Sequence, residues 1–288
     1  RMMIKLNVIG DPIEHSMSPK VHKLCLDEIG VEFEYEKVRV EKGGLKEYIA
    51  SAVCGGVTGF NLTMPHKQDI IPFLDYIDDE ARTYNSVNTV RIKDGKLLGY
   101  NTDAVGYVLS LGSLGFSFEG KNIVILSAGG VANTLAVKAA LLGAEKISVL
   151  NRTVQKAAKT CELAGNIFES KFGEENKPKL FYDGSAPRTV EMYVSDCDLL
   201  INATPLGMHG VERDYEDLEF MERLPKNAIA SDLIYNPPKT SFLRAAENAG
   251  LKIINGMGML LGQAIAADKI FTELDFSPSE IYEKLSKR

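Results

Sequence analysis

The segment from residue 122 to residue 150, NIVILSAGGVANTLAVKAALLGAEKISVL, constrains the fold more than any other part of the chain. Its apolar runs at 122–126 and 146–150 predict two buried strands. Between them, Gly129 and Gly130 predict a tight turn that leads into a helix at 131–142. A strand, a helix and a second strand in this order form a βαβ unit, whose two strands must be parallel.

The alternation of strands and helices continues on both sides of this unit. Strands are predicted at 5–10, 34–40 and 57–63 before it, and at 199–202 and 228–233 after it. Ser18 and Pro19 predict a helix start, with the serine as N-cap. Lys93-Asp94-Gly95 predicts the turn of a hairpin. The polar stretch 170–187 predicts a loop region around one short strand. This order favours an α/β fold with mostly parallel sheets.

Composition excludes several classes of function. The net charge is −6 and the sequence pI is about 5.4, so neither nucleic acid nor a membrane surface is expected as a partner. The longest uncharged stretch, 253–267, is too short and too polar for a membrane span. Four scattered cysteines and four histidines argue against a metal site or a disulfide framework. Free thiols favour a reducing cytoplasm.

The turn Ser127-Ala128-Gly129-Gly130-Val131-Ala132 lies where a dinucleotide-binding fingerprint belongs, after a strand and at the start of a helix. Free amides at such a helix start can bind a pyrophosphate. The match is imperfect, because Ser127 replaces the first glycine and Ala132 the last. The alternative is a tight turn that binds no ligand.

The next strand ends in Asn151-Arg152-Thr153, with Lys156 one helical step further. An NAD-binding fold usually places an acidic residue there, which accepts hydrogen bonds from the ribose hydroxyls. A guanidinium, a hydroxyl and an ammonium instead suit a 2′-phosphate. These residues therefore favour NADP over NAD. The alternative is a solvated basic helix start.

The stretch GFNLTMPHK, residues 59–67, begins as a buried strand and ends with Lys67. Lys67 is either a solvated lysine after a proline or a group that the strand delivers to a site. Asp103 similarly either caps a helix beginning at Ala104 or orients Lys67. Asn61, Thr63 and nearby polar residues at neighbouring strand ends favour a site.

Together these motifs resemble the shikimate dehydrogenase family, whose members reduce 3-dehydroshikimate to shikimate with NADPH. The resemblance runs nearly from end to end. The similar segments are GDPIEHSMSPKVH, GFNLTMPHK, NSVNTV, GYNTDAVG, LSAGG, NRTVQK, INATPLGM, DLIYNPPKT and NGMGMLLGQA. The chain departs from the family pattern at Ser127, where members usually have glycine, and at Asn85-Ser86, where they have Gly-Ala.

The resemblance implies roles for individual residues. Lys67 and Asp103 would be catalytic, with Lys67 as the proton donor. The residues implied in substrate binding are Ser16, Ser18, Thr63, Asn88, Tyr235 and Gln263. The residues implied in cofactor binding are Ser127, Ala128, Gly129, Gly130, Val131, Asn151, Arg152, Thr153, Lys156, Thr204, Leu233 and Gly256. Taken without the resemblance, Ser18 could be only an N-cap, Asn88 a turn residue, Gln263 a helix polar position and Tyr235 a packing aromatic.

The resemblance also implies the domain organisation. Residues 1–104, completed by helices in 256–288, would form a substrate-binding α/β domain, and residues 105–255 a Rossmann NADP-binding domain, with the site in the cleft between them. The expected partner is a small-molecule substrate of the chorismate pathway. The protein is expected to be a monomer or a homodimer. A broader quinate/shikimate dehydrogenase would share these motifs. A non-catalytic NADP-binding regulator should have lost Lys67 or Asp103, and both are present.

Overall fold

The computed structural model describes residues 3–287, and the chain divides into two compact units. The first contains the residues up to Leu114 and those from Met259 onward, and the second runs from Gly115 to Gly258. Each unit is built on its own six-stranded sheet. The α/β class with mostly parallel strands is therefore confirmed.

The first unit begins with alternating strands and helices. These are β1 (Ile4–Gly10), α1 (Ser18–Glu28), β2 (Phe33–Arg39), α2 (Leu45–Cys54), β3 (Gly59–Leu62), α3 (His66–Asp69), a 3₁₀ turn (Ile71–Phe73), β4 (Tyr76–Ile77), α4 (Asp79–Tyr84), β5 (Thr89–Lys93), β6 (Lys96–Tyr100) and α5 (Asp103–Gly112).

The sheet of the first unit is mixed, in the order β2-β1-β3-β5-β6-β4. Strand β1 is parallel to both β2 and β3, whereas β5 is antiparallel to β3 and β6. The predicted hairpin joins β5 to β6. Its turn residues Asp94 and Gly95 both have positive φ, 52° and 73°, as a two-residue hairpin loop requires.

One local prediction for this unit is wrong. The sequence predicts Ser18 as the cap of α1, but Met17 is the N-cap residue and no side chain caps the helix. Ser18 is the first residue of the helix, followed by Pro19 in its first turn. The Ser18 amide instead donates to Ser16 Oγ at 3.3 Å, so the two serines are bound to each other.

The second unit contains the βαβ segment. Its elements are β7 (Asn122–Leu126), α6 (Gly130–Leu141), β8 (Lys146–Leu150), α7 (Val154–Phe172), β9 (Lys179–Asp183), α8 (Pro187–Val194), β10 (Leu199–Asn202), a 3₁₀ turn (Glu219–Arg223), β11 (Ile229–Asp232), α9 (Ser241–Asn248) and β12 (Lys252–Ile254). All its strand pairs are parallel, in the order β12-β11-β10-β7-β8-β9. This is the doubly wound Rossmann order, in which the order of strands along the sheet reverses between β7 and β10.

The chain ends with α10 (Met257–Thr272) and α11 (Pro278–Ser286). Helix α10 touches α5 at two glycines. A Cβ on Gly106 would lie 2.4 Å from the Gln263 amide nitrogen, and a Cβ on Gly262 would lie 2.5 Å from the Gly106 carbonyl oxygen. Only glycine allows this approach, and it fixes where Gln263 lies in the unit. Within residues 3–287, none of the helices has the length and apolar character needed to span a bilayer.

Candidate active site

Lys67 and Asp103 form an ion pair in the first unit. Lys67 lies in the one-turn helix α3, just after β3, and Asp103 is the first residue of α5. The Lys67 Nζ donates to Asp103 Oδ2 at 2.7 Å, and the two side chains are 28% and 14% exposed. The lysine is thus paired and partly shielded, although open enough for a ligand to reach it.

Asn88 holds the other oxygen of the same carboxylate. Its Nδ2 donates to Asp103 Oδ1 at 2.8 Å and to Thr102 Oγ1 at 3.0 Å. The Asp103 amide donates to Asn101 Oδ1 at 3.0 Å. Both carboxylate oxygens therefore have donors, and the helix start that carries them is pinned by a neighbouring asparagine.

The segment between β3 and α3 is held tightly at its base. Thr63 donates its amide to the Ile9 carbonyl at 3.0 Å, and its methyl group packs on Gly10, where a Cβ would lie 2.2 Å from Thr63 Cγ2. His66 is fully buried, with Nε2 2.6 Å from the Val40 carbonyl oxygen. His66 thus anchors the turn that places Lys67.

The remaining predicted substrate residues lie in three separate segments. Ser16 Oγ donates to Ser18 Oγ at 3.2 Å, and both serines are half-buried. Gln263 is buried in α10, with Nε2 donating to the Leu260 carbonyl at 2.9 Å. Tyr235 is half-buried in the loop after β11 and belongs to the second unit. Among the described residues of the first unit, the structure therefore joins Lys67 and Asn88 to Asp103 and gives no direct bond from these three to Ser16, Ser18 or Gln263.

The glycine turn of the second unit leaves a helix start open. Helix α6 begins at Gly130 with Gly129 as its N-cap residue, and both glycines are exposed. A Cβ on Gly130 would meet no atom within 4 Å. The first amides of a helix have no intrahelical partners. This helix start therefore has open space in front of it and backbone amides without intrahelical partners.

Ser127 gives this turn an unusual feature. Its φ is 129°, a conformation that L-residues rarely adopt, and its Oγ accepts the Gly129 amide at 3.2 Å. The side chain therefore occupies one amide donor of the glycine turn.

The predicted 2′-phosphate segment follows β8. Asn151 donates its side-chain amide to the Thr153 carbonyl at 2.9 Å, which closes the turn into α7. Arg152, Thr153 and Lys156 are all exposed. An exposed guanidinium, hydroxyl and ammonium on one turn fit a phosphate group.

The ends of β10 and β11 share a buried polar cluster that sequence reasoning did not single out. Asn202 Oδ1 accepts the amide and the hydroxyl of Thr204 at 3.0 and 2.7 Å. Its Nδ2 donates to Asp232 Oδ1 at 3.1 Å, and Thr240 donates to Asp232 Oδ2 at 2.5 Å. Burial raises the pKa of Asp232, against these hydrogen bonds. The cluster fixes the loop that carries Thr204.

Gly256 lies close to the end of the same sheet. A Cβ there would lie 2.0 Å from the Leu233 carbonyl oxygen, and the Gly256 amide donates to the Ile234 carbonyl at 3.0 Å. Only glycine therefore fits at position 256, where its backbone packs against the Leu233 carbonyl group. Across residues 3–287, no set of three or more His, Cys, Asp or Glu side chains is arranged to hold a metal ion.

Comparison with known proteins finds strong similarity. The shikimate dehydrogenase substrate binding domain matches residues 8–90. The shikimate dehydrogenase (NADP(+)) of Alkaliphilus metalliredigens is 40% identical over 282 residues, which cover 97% of this chain and 95% of the relative.

Solved structures agree with this similarity. Shikimate 5-dehydrogenase from Thermus thermophilus, in complex with NADP(H) and shikimate, has a TM-score of 0.79 at 30% identity and covers 99% of both chains. Quinate dehydrogenase from Corynebacterium glutamicum, in complex with NAD, has a TM-score of 0.82 at 27% identity, again with 99% of both chains covered.

Proposed function

Because the chain belongs to the shikimate dehydrogenase family, we propose that it catalyses the reversible, NADP-dependent reduction of 3-dehydroshikimate to shikimate. The observation that carries the proposal is the Lys67–Asp103 pair, whose carboxylate is also held by Asn88. A solvated lysine after a proline would not need such an arrangement.

The proposed chemistry asks little of the protein beyond binding, orientation and a proton route. NADPH, when bound, supplies the hydride. As the carbonyl is reduced, its oxygen gains negative charge and needs a proton, and Lys67 Nζ is the donor. Asp103 holds that nitrogen in place through the 2.7 Å contact. In the reverse direction, the uncharged Lys67 amine would take the proton from the hydroxyl.

We assign the substrate residues by their chemistry. Ser16 and Ser18 are short donors for the substrate carboxylate, and their hydroxyl oxygens lie side by side, 3.2 Å apart. Thr63 and Gln263 offer hydroxyl and amide groups for the ring hydroxyls. Asn88 is assigned on the family resemblance, because its Nδ2 already donates to Thr102 Oγ1 and Asp103 Oδ1. Tyr235 is assigned on the family resemblance alone.

We assign the cofactor to the second unit. Residues 127–131, at the open start of α6, would hold the pyrophosphate. The 2′-phosphate would be held by Arg152, Thr153 and Lys156. Asn151 closes the turn that carries them. Thr204, Leu233 and Gly256 would lie along the nicotinamide half. The open space at Gly130 and the exposed basic groups fit such a ligand.

The direct test measures nicotinamide absorbance with shikimate or quinate, each with NADP or NAD. We expect the highest kcat/KM for shikimate with NADP. The similarity to a quinate dehydrogenase makes quinate with NAD the informative rival pairing, and a preference for it would replace this proposal with a quinate-type activity. If the protein binds NADP but turns over none of the four pairings, the alternative of a non-catalytic NADP-binding regulator is favoured.

The choice of cofactor is tested separately. Arg152→Ala should remove most of the preference for NADP over NAD, by roughly 1.5–3 kcal/mol, because a charge-assisted contact to the 2′-phosphate is lost. The matched control is Lys171→Ala, which removes an exposed cation near the other end of α7. An unchanged ratio of kcat/KM values in Arg152→Ala would remove the phosphate role from this residue.

We also propose a reducing compartment. All four cysteines are free, and Cys25, Cys161 and Cys197 are buried. Free buried thiols are typical of cytoplasmic proteins. Whether the protein is a monomer or a homodimer is a question for sedimentation or light scattering.

A further inference from the structure

Thr89 lies at the start of β5, next to Asn88, and its side chain is fully buried. We propose that Thr89 is a positioning residue: through its hydroxyl it keeps the Asn88 amide aimed at Asp103, and so helps to hold the carboxylate that pairs with Lys67. This proposal rests on the proposed function for its kinetic readout only.

The orientation of the Asn88 side chain follows from its neighbours. The Thr102 backbone amide, which can only donate, lies 2.9 Å from Asn88 Oδ1. The oxygen must therefore face Thr102, and Nδ2 must face Asp103 and the Thr102 hydroxyl. No other assignment of the two amide atoms satisfies both contacts.

The direction of the Thr89 hydroxyl follows in the same way. Asn61 Nδ2 lies 3.3 Å from the Asn88 carbonyl oxygen, which can only accept, so this atom is a donor. The same Nδ2 donates to Thr89 Oγ1 at 3.0 Å. With its oxygen accepting, Thr89 is free to donate its own hydrogen to Asn88 Oδ1, 2.9 Å away.

Tyr35 extends this chain to β2. Its hydroxyl donates to Asn61 Oδ1 at 2.7 Å, and Asn61 is itself buried. All the bonds from Tyr35 through Asn61 and Thr89 to Asn88 thus run in one direction. Asn88 Oδ1 also accepts from the amide and hydroxyl of Thr102, at 2.9 and 3.3 Å. The chain of hydrogen bonds from three strands of one sheet therefore adds to this support for the orientation of Asn88.

The physical consequence lies at Asp103. If Asn88 loses one of its donors, its amide can tilt, and Asp103 Oδ1 then loses part of its hydrogen bond. The carboxylate gains freedom to rotate away from Lys67 Nζ. Because the Thr89 side chain is 0% exposed, it cannot touch a substrate directly, and its effect on turnover must pass through Asn88 or through Thr102, whose hydroxyl lies 3.5 Å from that of Thr89.

The test compares two substitutions at one position. Thr89→Val keeps the shape and removes the hydroxyl, whereas Thr89→Ser keeps the hydroxyl. We expect Thr89→Val to lower kcat by roughly 3- to 10-fold, the size of one neutral hydrogen bond, and to shift the pH profile of kcat. The Kd for NADP should stay unchanged, and Thr89→Ser should restore most of kcat.

The matched control is Thr58→Val in the same unit. The Thr58 hydroxyl accepts the Lys5 amide at 3.1 Å, so this substitution also removes one bonded hydroxyl. We expect normal kcat and an unshifted pH profile. Equal losses in Thr89→Val and Thr89→Ser, or a wild-type profile in Thr89→Val, would overturn the proposal.

Two further measurements keep the proposal testable. If Thr89→Val does not fold, Tyr35→Phe removes the first donor of the chain of hydrogen bonds and should produce a smaller loss of kcat in the same direction. Independently of activity, ¹⁵N NMR should show faster solvent exchange of the Asn88 side-chain NH₂ protons in Thr89→Val than in wild type or Thr89→Ser. If the Asn88 NH₂ protons exchange at the same rate in Thr89→Val as in wild type, the positioning role is rejected. If the exchange rates differ but the wild-type protein has no dehydrogenase activity, only the proposed function is rejected.

Discussion

Lys67 is the residue on which the proposed chemistry depends most. Its Nζ donates to Asp103 at 2.7 Å, and its surroundings leave it reachable. A general acid needs a defined position relative to the group that it protonates. The ion pair supplies that position, while Asn88 and the buried groups behind it supply the position of Asp103.

Lys67→Ala should lower turnover by roughly 10²–10⁴-fold, the usual range for losing a general acid–base group. NADP binding should remain, because the glycine turn is untouched. Asp103→Asn should also lower turnover, and the double variant should lose less than the product of the two single effects, because the pair acts as one unit. The measurements are steady-state kinetics and NADP titration calorimetry.

Lys46→Ala is the control for this series, because Lys46 is an exposed lysine on α2 of the same unit. It should leave kcat unchanged. Near-normal turnover in a folded Lys67→Ala protein that binds NADP would show that Lys67 is only a surface lysine.

Ser127 is a second residue whose substitution we expect to change the affinity for NADP. Its Oγ accepts the Gly129 amide, and its backbone lies at φ 129°. Ser127→Gly should tighten NADP binding by roughly 3- to 10-fold, because one neutral hydrogen bond is no longer held within the turn. Ser127→Ala keeps the Cβ but frees the amide, and should tighten binding as well.

Calorimetric titration with NADP measures both variants, and a thermal melt of each reports relief of backbone strain, which only Ser127→Gly should show. Weaker binding in both variants would mean that the hydroxyl itself contacts the cofactor.

At the scale of elements, a buried pair joins helix α1 to helix α10. His22 Nδ1 lies 2.6 Å from Asp268 Oδ1, and both side chains are 0% exposed. Burial raises the pKa of Asp268, while the charge and hydrogen bond of His22 lower it. The ring of His22 also stacks on Tyr35, with centroids 4.7 Å apart. The pair thus connects two helices from opposite ends of the chain.

His22→Leu should destabilise the protein by about 3–5 kcal/mol, because Asp268 is left buried without its partner. The double variant His22→Leu/Asp268→Leu should recover most of that loss, because the uncompensated carboxylate is gone. Urea unfolding measures both. A double variant as unstable as His22→Leu alone would mean that packing around His22, rather than the charge on Asp268, decides the cost.

At the scale of the whole molecule, the two units each have a complete sheet and a separate core. The proposed ligands also divide between them. NADP is assigned to the unit from Gly115 to Gly258, while the serines and the Lys67–Asp103 pair belong to the other unit.

Hydrogen exchange should report this division. NADP alone should slow amide exchange mainly in the segments after β7 and β8, because binding stabilises the state that it binds. Shikimate alone should slow exchange mainly around residues 16–18 and 63–67. Mass spectrometry of peptic fragments, with each ligand added separately, measures this. Protection of residues 16–18 by NADP alone, with none after β7, would contradict the assignment.

Features that local interactions control can be predicted from the amino-acid order alone. The βαβ unit was predicted within one residue at each end of its helix, because apolar periodicity and a glycine turn are local signals. The Asp94-Gly95 turn was predicted for the same reason. The order of predicted strands and helices also indicates the α/β class, and the family resemblance pairs Lys67 with Asp103.

Which polar groups meet depends on long-range contacts in the folded chain. Lys67 and Asp103 are separated by 36 positions, and His22 and Asp268 by 246. The strand order β2-β1-β3-β5, with β5 running antiparallel to β3, brings Tyr35, Asn61 and Thr89 into one chain of hydrogen bonds. Periodicity shows which face of a strand is buried, but not which strand lies beside it. The support behind Asp103 therefore depends on long-range strand pairing, which no local pattern in the sequence specifies.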